Sequence, residues 1–201
     1  MKIKHKFNKD KLWFTADEHF YHNNIISYCN RPFNNIEEMN NTLITNWNEL
    51  IQPDDDVIIA GDFIHSGNLI LIEDILSKLN GTKWLVYGNH CYQNKFEREF
   101  VVQNLFKNRC YDAMDFTVED EELEDGYMKF HVTHYPCLFW TRGAVHVHGH
   151  IHSGPLSTGS EVADFNPLRY DVGVDNNNMK PVSYNDLKVI ITKQLLQRKS
   201  I

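Results

Sequence analysis

No run of apolar residues in the sequence approaches the roughly 20 needed to cross a bilayer, and residues 1–11 are charged, without the apolar core of a signal peptide. Cysteine is scarce: Cys29, Cys91, Cys110 and Cys137 show neither paired CxxC spacing nor a disulfide-dense pattern. That excludes zinc-finger and disulfide-scaffold classes and reads as reduced thiols in a soluble cytoplasmic protein. Positive charge is also short, with 20 Lys and Arg against 27 Asp and Glu and a net charge of -7. A broad cationic surface for long nucleic acid is therefore not expected, although a local site for a nucleotide or short oligonucleotide stays compatible. No internal repeat, low-complexity tract or linker divides the chain, so residues 1–201 read as one domain. Its 42% hydrophobic and 23% charged residues suffice for a globular core without disulfides.

Histidine is what the chain has in abundance, 11 in all, and they are concentrated in short motifs. Residues 145–152 read Val-His-Val-His-Gly-His-Ile-His. In an extended segment side chains alternate between faces, so the imidazoles at 146, 148, 150 and 152 would share one face while Val145, Val147 and Ile151 enter a core. Buried neutral rings need hydrogen bonds or a metal to take up their lone pairs.

The apolar runs at 12–16, 57–60 and 83–87 read as buried strands, each delivering polar groups at its end: Asp17-Glu18-His19, Gly61-Asp62 and Gly88-Asn89-His90. Between them lie a short helix at 23–29 stopped by Arg31-Pro32, a helix at 36–51 with Asn35 and Glu38 as a capping box, and a helix at 69–79 opened by Gly67 or Asn68. A helix over 93–106 follows. Strands are then expected at 113–118, 127–133, 144–148 and 169–174, with a solvated hairpin tip at 119–125, a loop at 153–166 and a closing helix at 183–197. This is an α/β order, in which ligand sites gather beyond the carboxyl ends of strands.

Each strand-end motif has an ordinary structural account as a turn or helix entry. Together, Asp17, His19, Asp62, Asn89, His90, His134, His150 and His152 make a carboxylate, amide and imidazole set without thiolate, suited to manganese, iron, zinc or a similar ion. The set exceeds the needs of one metal and suits two.

The order Asp-x-His, Gly-Asp, Gly-Asn-His, His, Gly-His-x-His, running from Asp17 to His152, resembles the calcineurin-like metallophosphoesterase superfamily. The contexts at 16–26 and at 172–175, Val-Gly-Val-Asp, are similar to its small bacterial and phage phosphoesterases. The resemblance implies a four-layer α-β-β-α sandwich, two mixed sheets flanked by helices. It also implies two divalent metal ions: one held by Asp17, His19, Asp62 and His152, the other by Asp62, Asn89, His134 and His150, with Asp62 bridging. Manganese is the expected metal, with iron, zinc, nickel or cobalt also compatible. The implied reaction is hydrolysis of a small phosphate ester, a phosphodiester ahead of a monoester, by a hydroxide bridging the metals. In it His90 serves as proton donor or charge stabiliser rather than ligand.

His146 and His148 match no ligand position. His22, Arg31 and Arg142 are candidate contacts to the phosphate or leaving group, a surface salt bridge being the alternative for either arginine. The chain departs from the protein-phosphatase subgroup in lacking an Asp-Arg pair after Gly61-Asp62 and in placing Cys91 after His90, and Tyr21 stands where related small enzymes have glycine. The metallo-β-lactamase pattern fails, because reading from His146 puts His150 where an aspartate is required. A monoesterase acting on a small phosphorylated metabolite or nucleotide, and a metal-free protein-binding scaffold of the same fold, remain as alternatives.

Overall fold

The computed structural model describes residues 3–66, 68–92, 104–152 and 166–199. Two mixed sheets and a set of helices form an α/β fold. The first sheet contains β1 (Leu12–Thr15), β2 (Asp56–Ile59), β3 (Thr82–Val86), β4 (Cys110–Tyr111) and β9 (Val182–Ser183), in the order β4-β3-β2-β1-β9. β1 to β4 run parallel and β9 is antiparallel on β1. The second contains β5 (Met114–Glu119), β6 (Tyr127–Val132), β7 (Val145–His148) and β8 (Arg169–Asp171), in sequence order, with only the β5–β6 pair antiparallel. The helices are α1 (Ile25–Tyr28), α2 (Ile36–Leu50), α3 (Leu69–Lys78) and α4 (Tyr184–Lys199).

Period-two alternation assigns the faces of the first sheet. Phe14, Ile58, Trp84 and Val86 join Phe116, Phe130, Val132 and Val147 of the second sheet in one buried cluster. Val57, Ile59 and Leu85 point the other way, onto Met39, Leu43 and Trp47 of α2 and Ile75 of α3. Each fully buried side chain of this size contributes about 1.5–3 kcal/mol. Trp47, 1% exposed, also donates its indole N–H to the Asn80 carbonyl at 3.0 Å, so its one polar atom is satisfied. Among the described residues no helix is long and apolar enough to cross a membrane.

Among the described residues the expected helices and strands are present with small shifts in their bounds, and β4 and β9, each two residues long, carried no sequence signal. Asn35 caps α2 by accepting from Glu38 N, whereas the Glu38 carboxylate reaches back to Asn34, not to Asn35. Asn68 caps α3 through Ile70 N; Gly67 lies outside the described residues. So do most of the helix expected at 93–106 and of the loop expected at 153–166.

Two expectations are corrected. The strand over 169–174 stops at Asp171, because Gly173 leaves it to form a parallel bridge with Ala16, stitching the two sheets together. The hairpin at 119–125 is not wholly solvated. Asp120 is buried, and its carboxylate accepts from Lys9 at 3.0 Å, Lys188 at 2.9 Å and the Tyr184 hydroxyl at 2.9 Å. Those partners are what make burial of the charge tolerable.

Candidate metal centre

The carboxyl ends of strands from both sheets converge. β1 delivers Asp17 and His19, β2 Asp62, β3 Asn89 and His90, β6 His134, and β7 His150 and His152. Several of these residues sit in the left-handed region that non-glycine residues avoid: Asp17 at φ 61°, His19 at 52°, Asp62 at 51°, His150 at 73° and His152 at 46°. Such backbone costs on the order of 1–3 kcal/mol per residue and concentrates at functional sites. Hydrogen bonds hold it in place: Asp17 N donates to Gly61 O, His19 N to Asp62 O, His90 N to Asp62 Oδ1 at 2.9 Å, and His150 N to Asp17 Oδ2 at 2.8 Å.

The glycines in the motifs serve close approach. A Cβ on Gly88 would lie 2.2 Å from Asp62 Oδ1, and one on Gly149 would lie 2.5 Å from Asp17 Oδ2. The strand-end backbone is therefore packed directly against the carboxylates, which is why Gly precedes Asn89 and His150.

The donor atoms fall into overlapping groups within 4.8 Å of one another: Asp17, His19 and His152; Asp62, His134 and His150; and His19, Asp62 and His90. His134 Nδ1 faces the Ala60 carbonyl at 2.9 Å and donates to it, which fixes the tautomer and leaves a lone pair on Nε2. That Nε2 is met by Asn89 Oδ1 at 2.9 Å, His150 Nδ1 at 3.2 Å and Asp62 Oδ2 at 3.3 Å. A proton there serves one of these contacts, whereas a cation serves them all. Asp17 Oδ1 and His19 Nε2, both buried, have no hydrogen-bond partner among the described residues. His19 Nε2 is directed towards Asp62 Oδ2, 3.7 Å away. Orphaned acceptors and crowded lone pairs are what a site for divalent ions presents, and the oxygen and imidazole donors fit such ions.

The electrostatics agree. Burial pushes the Asp17 carboxyl well above its ordinary range, and the Asp171 and Asp62 carboxylates add to the shift. Without a cation nearby the ionised form of Asp17 is thus disfavoured, first by lost solvation and then by the neighbouring carboxylates. Burial also raises Asp62, but its contact with His134 and the hydrogen bond from the His90 amide outweigh it and hold this carboxylate below the usual range. Burial drives His19 well below its ordinary value, His22 down to about 4, and His150 down in the same sense. Those rings are neutral, the form in which imidazole binds a metal.

A cleft of about 430 Å³ opens onto this centre. Beyond the candidate ligands, its walls include His22, His90, Ile25, Tyr28, Cys29 and Ile151. His22 lines the cleft, with Nδ1 3.2 Å from His19 Nδ1 and its ring stacked on His65 at 4.0 Å. Neither arginine does. The Arg31 side chain is fully buried and spent on Asp175, bidentately at 2.8 Å, and on the carbonyls of Glu18 and Asp17 at 2.9 and 2.6 Å. It braces the ligand loop from beneath and is neither a substrate contact nor a surface ion pair. Arg142 is exposed in the turn preceding β7, at the opposite end of that strand from His150. β7 itself, four residues long, spans roughly 13 Å.

The histidine row is broken. β7 ends at His148, and His150 and His152 lie in the following turn instead of continuing its pleat. His146 bonds to the Thr133 hydroxyl at 2.9 Å and His148 Nδ1 to the Gly149 carbonyl at 3.0 Å, so both are packed rings.

Sequence reasoning assigned no role to Asp175 or His65. Asp175 Oδ2 accepts from His152 Nδ1 at 2.7 Å, and His65 Nδ1 lies 3.2 Å from His90 Nδ1. The signal for Asp175 was the Val-Gly-Val-Asp stretch at 172–175; His65 had none beyond its place after Gly61-Asp62. Glu18, between two candidate ligands, turns away to accept from the Thr15 hydroxyl, and burial pushes its carboxyl up to about 7.

No protein-family model matches the chain. It is 36% identical over 189 residues to the uncharacterized protein MJ1445 of Methanocaldococcus jannaschii, across 91% of this chain and 92% of that one. Its fold is similar to the crystal structure of the protein of unknown function AQ665 from Aquifex aeolicus, with a TM-score of 0.63 at 22% identity, covering 89% of this chain and 98% of the other.

Proposed function

Because the chain belongs to the family of the Methanocaldococcus jannaschii protein MJ1445, whose name assigns no chemistry, we propose its function from the site: metal-dependent hydrolysis of a small phosphate ester, a phosphodiester ahead of a monoester. The proposal includes the arrangement of the fold as a four-layer α-β-β-α sandwich of the metallophosphoesterase type, and a pair of divalent ions with manganese favoured. The observation that carries it is the overlap of the donor groups. Asp17, His19 and His152 lie on one side, and His134, His150 and Asn89 on the other, with Asp62 reaching both through His19 and His134.

Two divalent ions in such a site supply positive charge against the phosphate oxygens and lower the pKa of a nearby water. The chain does the rest. Asp17 and Asp62 set the net charge of the centre, so that two divalent cations leave an excess for an anionic ester. The Ala60 carbonyl aims His134 and the Asp175 carboxylate aims His152, which fixes the donor atoms before substrate arrives. His90 faces the centre with Nε2 3.9 Å from Asp62 Oδ2, while its Nδ1 faces His65. As a hydroxide oxygen, the water's proton already released to solvent, bonds to phosphorus and the bond to the leaving oxygen breaks, a proton from His90 Nε2 would pass to that leaving oxygen, a contribution of about a hundredfold or more.

The test is a purified-protein screen, with manganese present, of bis-(4-nitrophenyl) phosphate, aryl monoesters, cyclic nucleotides and short oligonucleotides, alongside metal analysis. About two ions per chain and diester turnover above monoester turnover are expected. Asp62→Asn, altering the shared ligand, should lose both. A protein that binds no metal and turns over none of these esters is a scaffold, not an enzyme.

A further inference from the structure

Two exposed tyrosines pack against histidines of the centre. Tyr28, at the end of α1, lines the cleft and is 62% exposed. Its ring lies edge-on to His22 at 6.2 Å. Tyr135, 51% exposed, packs beside His150, its ring 4.4 Å from that imidazole and 5.1 Å from His134 in edge-to-face geometry. A single exposed tyrosine is unremarkable. Here both rings are anchored against histidines of one centre, and each leaves aromatic surface facing solvent beside it. Ile25, Cys29 and Ile151 add apolar surface to the cleft beside its imidazoles.

Charge points the same way. Among the described residues, no Lys or Arg lines the cleft. The guanidinium beneath it, Arg31, is consumed by Asp175 and two carbonyls. Among the described residues a leaving group bearing further phosphates or carboxylates meets no lysine or arginine of the cleft, whereas a planar neutral ring meets aromatic and aliphatic side chains.

Resting on the phosphoesterase reading above, we propose that the substrate is an ester whose leaving group carries a planar, uncharged aromatic ring, stacked on Tyr28 of the cleft wall and on Tyr135 beside His150. Stacking of this kind adds roughly 0.5–1.5 kcal/mol beyond burial of area, or about twofold to tenfold in affinity.

The experiment titrates manganese-loaded full-length protein calorimetrically with phenylphosphonate, cyclohexylphosphonate and inorganic phosphate. The carbon–phosphorus bond resists hydrolysis, and the two phosphonates match in charge and nearly in size while differing in planarity. Phenylphosphonate is expected to bind about fivefold more tightly than cyclohexylphosphonate. Tyr28→Leu and Tyr135→Leu should bring that ratio towards one, and Tyr28→Phe should restore it. A ratio near one in the wild type with phosphate still bound, or an unchanged ratio in both leucine variants, overturns this inference alone. If none of the three ligands binds and no ester is turned over, the phosphoesterase reading falls and this inference with it.

Discussion

A single carboxylate oxygen, Asp175 Oδ2, lies 2.7 Å from Nδ1 of His152 and 2.8 Å from Nη2 of Arg31, so the group that aims a candidate ligand is itself fixed by a buried guanidinium. Arg31 continues to the carbonyls of Asp17 and Glu18, so one interaction chain ties the loop after β1 to the turn after β7. Asp175→Asn keeps the shape but removes the charge. Manganese affinity should fall about tenfold to a hundredfold, the usual cost of losing a group that orients a metal ligand. Stability should fall by about 3 kcal/mol, since Arg31 is left buried without its counter-ion. Metal titration and urea unfolding read the two separately, and unaltered metal affinity would remove Asp175 from the site.

His90→Ala distinguishes proton donor from ligand. Its ring nitrogen is grouped with donor atoms of His19 and Asp62, within ligand reach. The expected result is full metal content with turnover down about a hundredfold. Loss of bound manganese in this variant makes His90 a ligand.

Gly88→Ala tests the close approach of backbone to carboxylate. The added methyl would meet Asp62 Oδ1 at 2.2 Å and Asp62 N at 2.5 Å, neither able to yield without moving the loop. About 1–3 kcal/mol of stability should go, as for other overpacked sites, together with metal binding. A variant of wild-type stability and metal content would mean that the loop relaxes freely.

Acid should destabilise the metal-free protein through its packed histidines. Burial holds His146 down to about 3, against 6.5 for an ordinary ring. Between those values the unfolded chain binds a proton that the folded chain does not, so the contribution is complete above pH 6.5 and declines as pH falls towards 3. Each such proton gives a slope of about 1.4 kcal/mol per pH unit. His146→Gln should flatten urea-unfolding stability between about pH 4 and 6 by nearly one proton's worth. An identical slope in variant and wild type would assign the acid sensitivity to other groups.

Much of this was legible in one dimension, for identifiable reasons. The first three strands announce themselves as apolar runs ending in Gly, Asp, Asn and His, because a buried parallel strand must be apolar and its end is where polar groups regain space. Asn35 and Asn68 were readable as caps because capping is local. Arg31 was misjudged because nothing local separates an exposed arginine from a buried one, and its acidic partner lies 144 residues away in sequence. Asp120 sat in a charge run that looked solvated until Lys9, Lys188 and Tyr184 came together around it.

The 145–152 stretch divides the two kinds of information. Its sequence fixed which residues have imidazoles to offer and that a glycine separates them. Where the strand ends was decided by packing, since Gly149 lies so close to Asp17 that a Cβ would meet the carboxylate at 2.5 Å, and His150 N donates to the same oxygen. The chain therefore turns after His148, leaving His146 and His148 in the interior and bringing His150 and His152 to the centre. Donor chemistry is a property of single residues and was present from the start; which donors share a cation depends on contacts between distant strand ends, and only the folded chain supplies those.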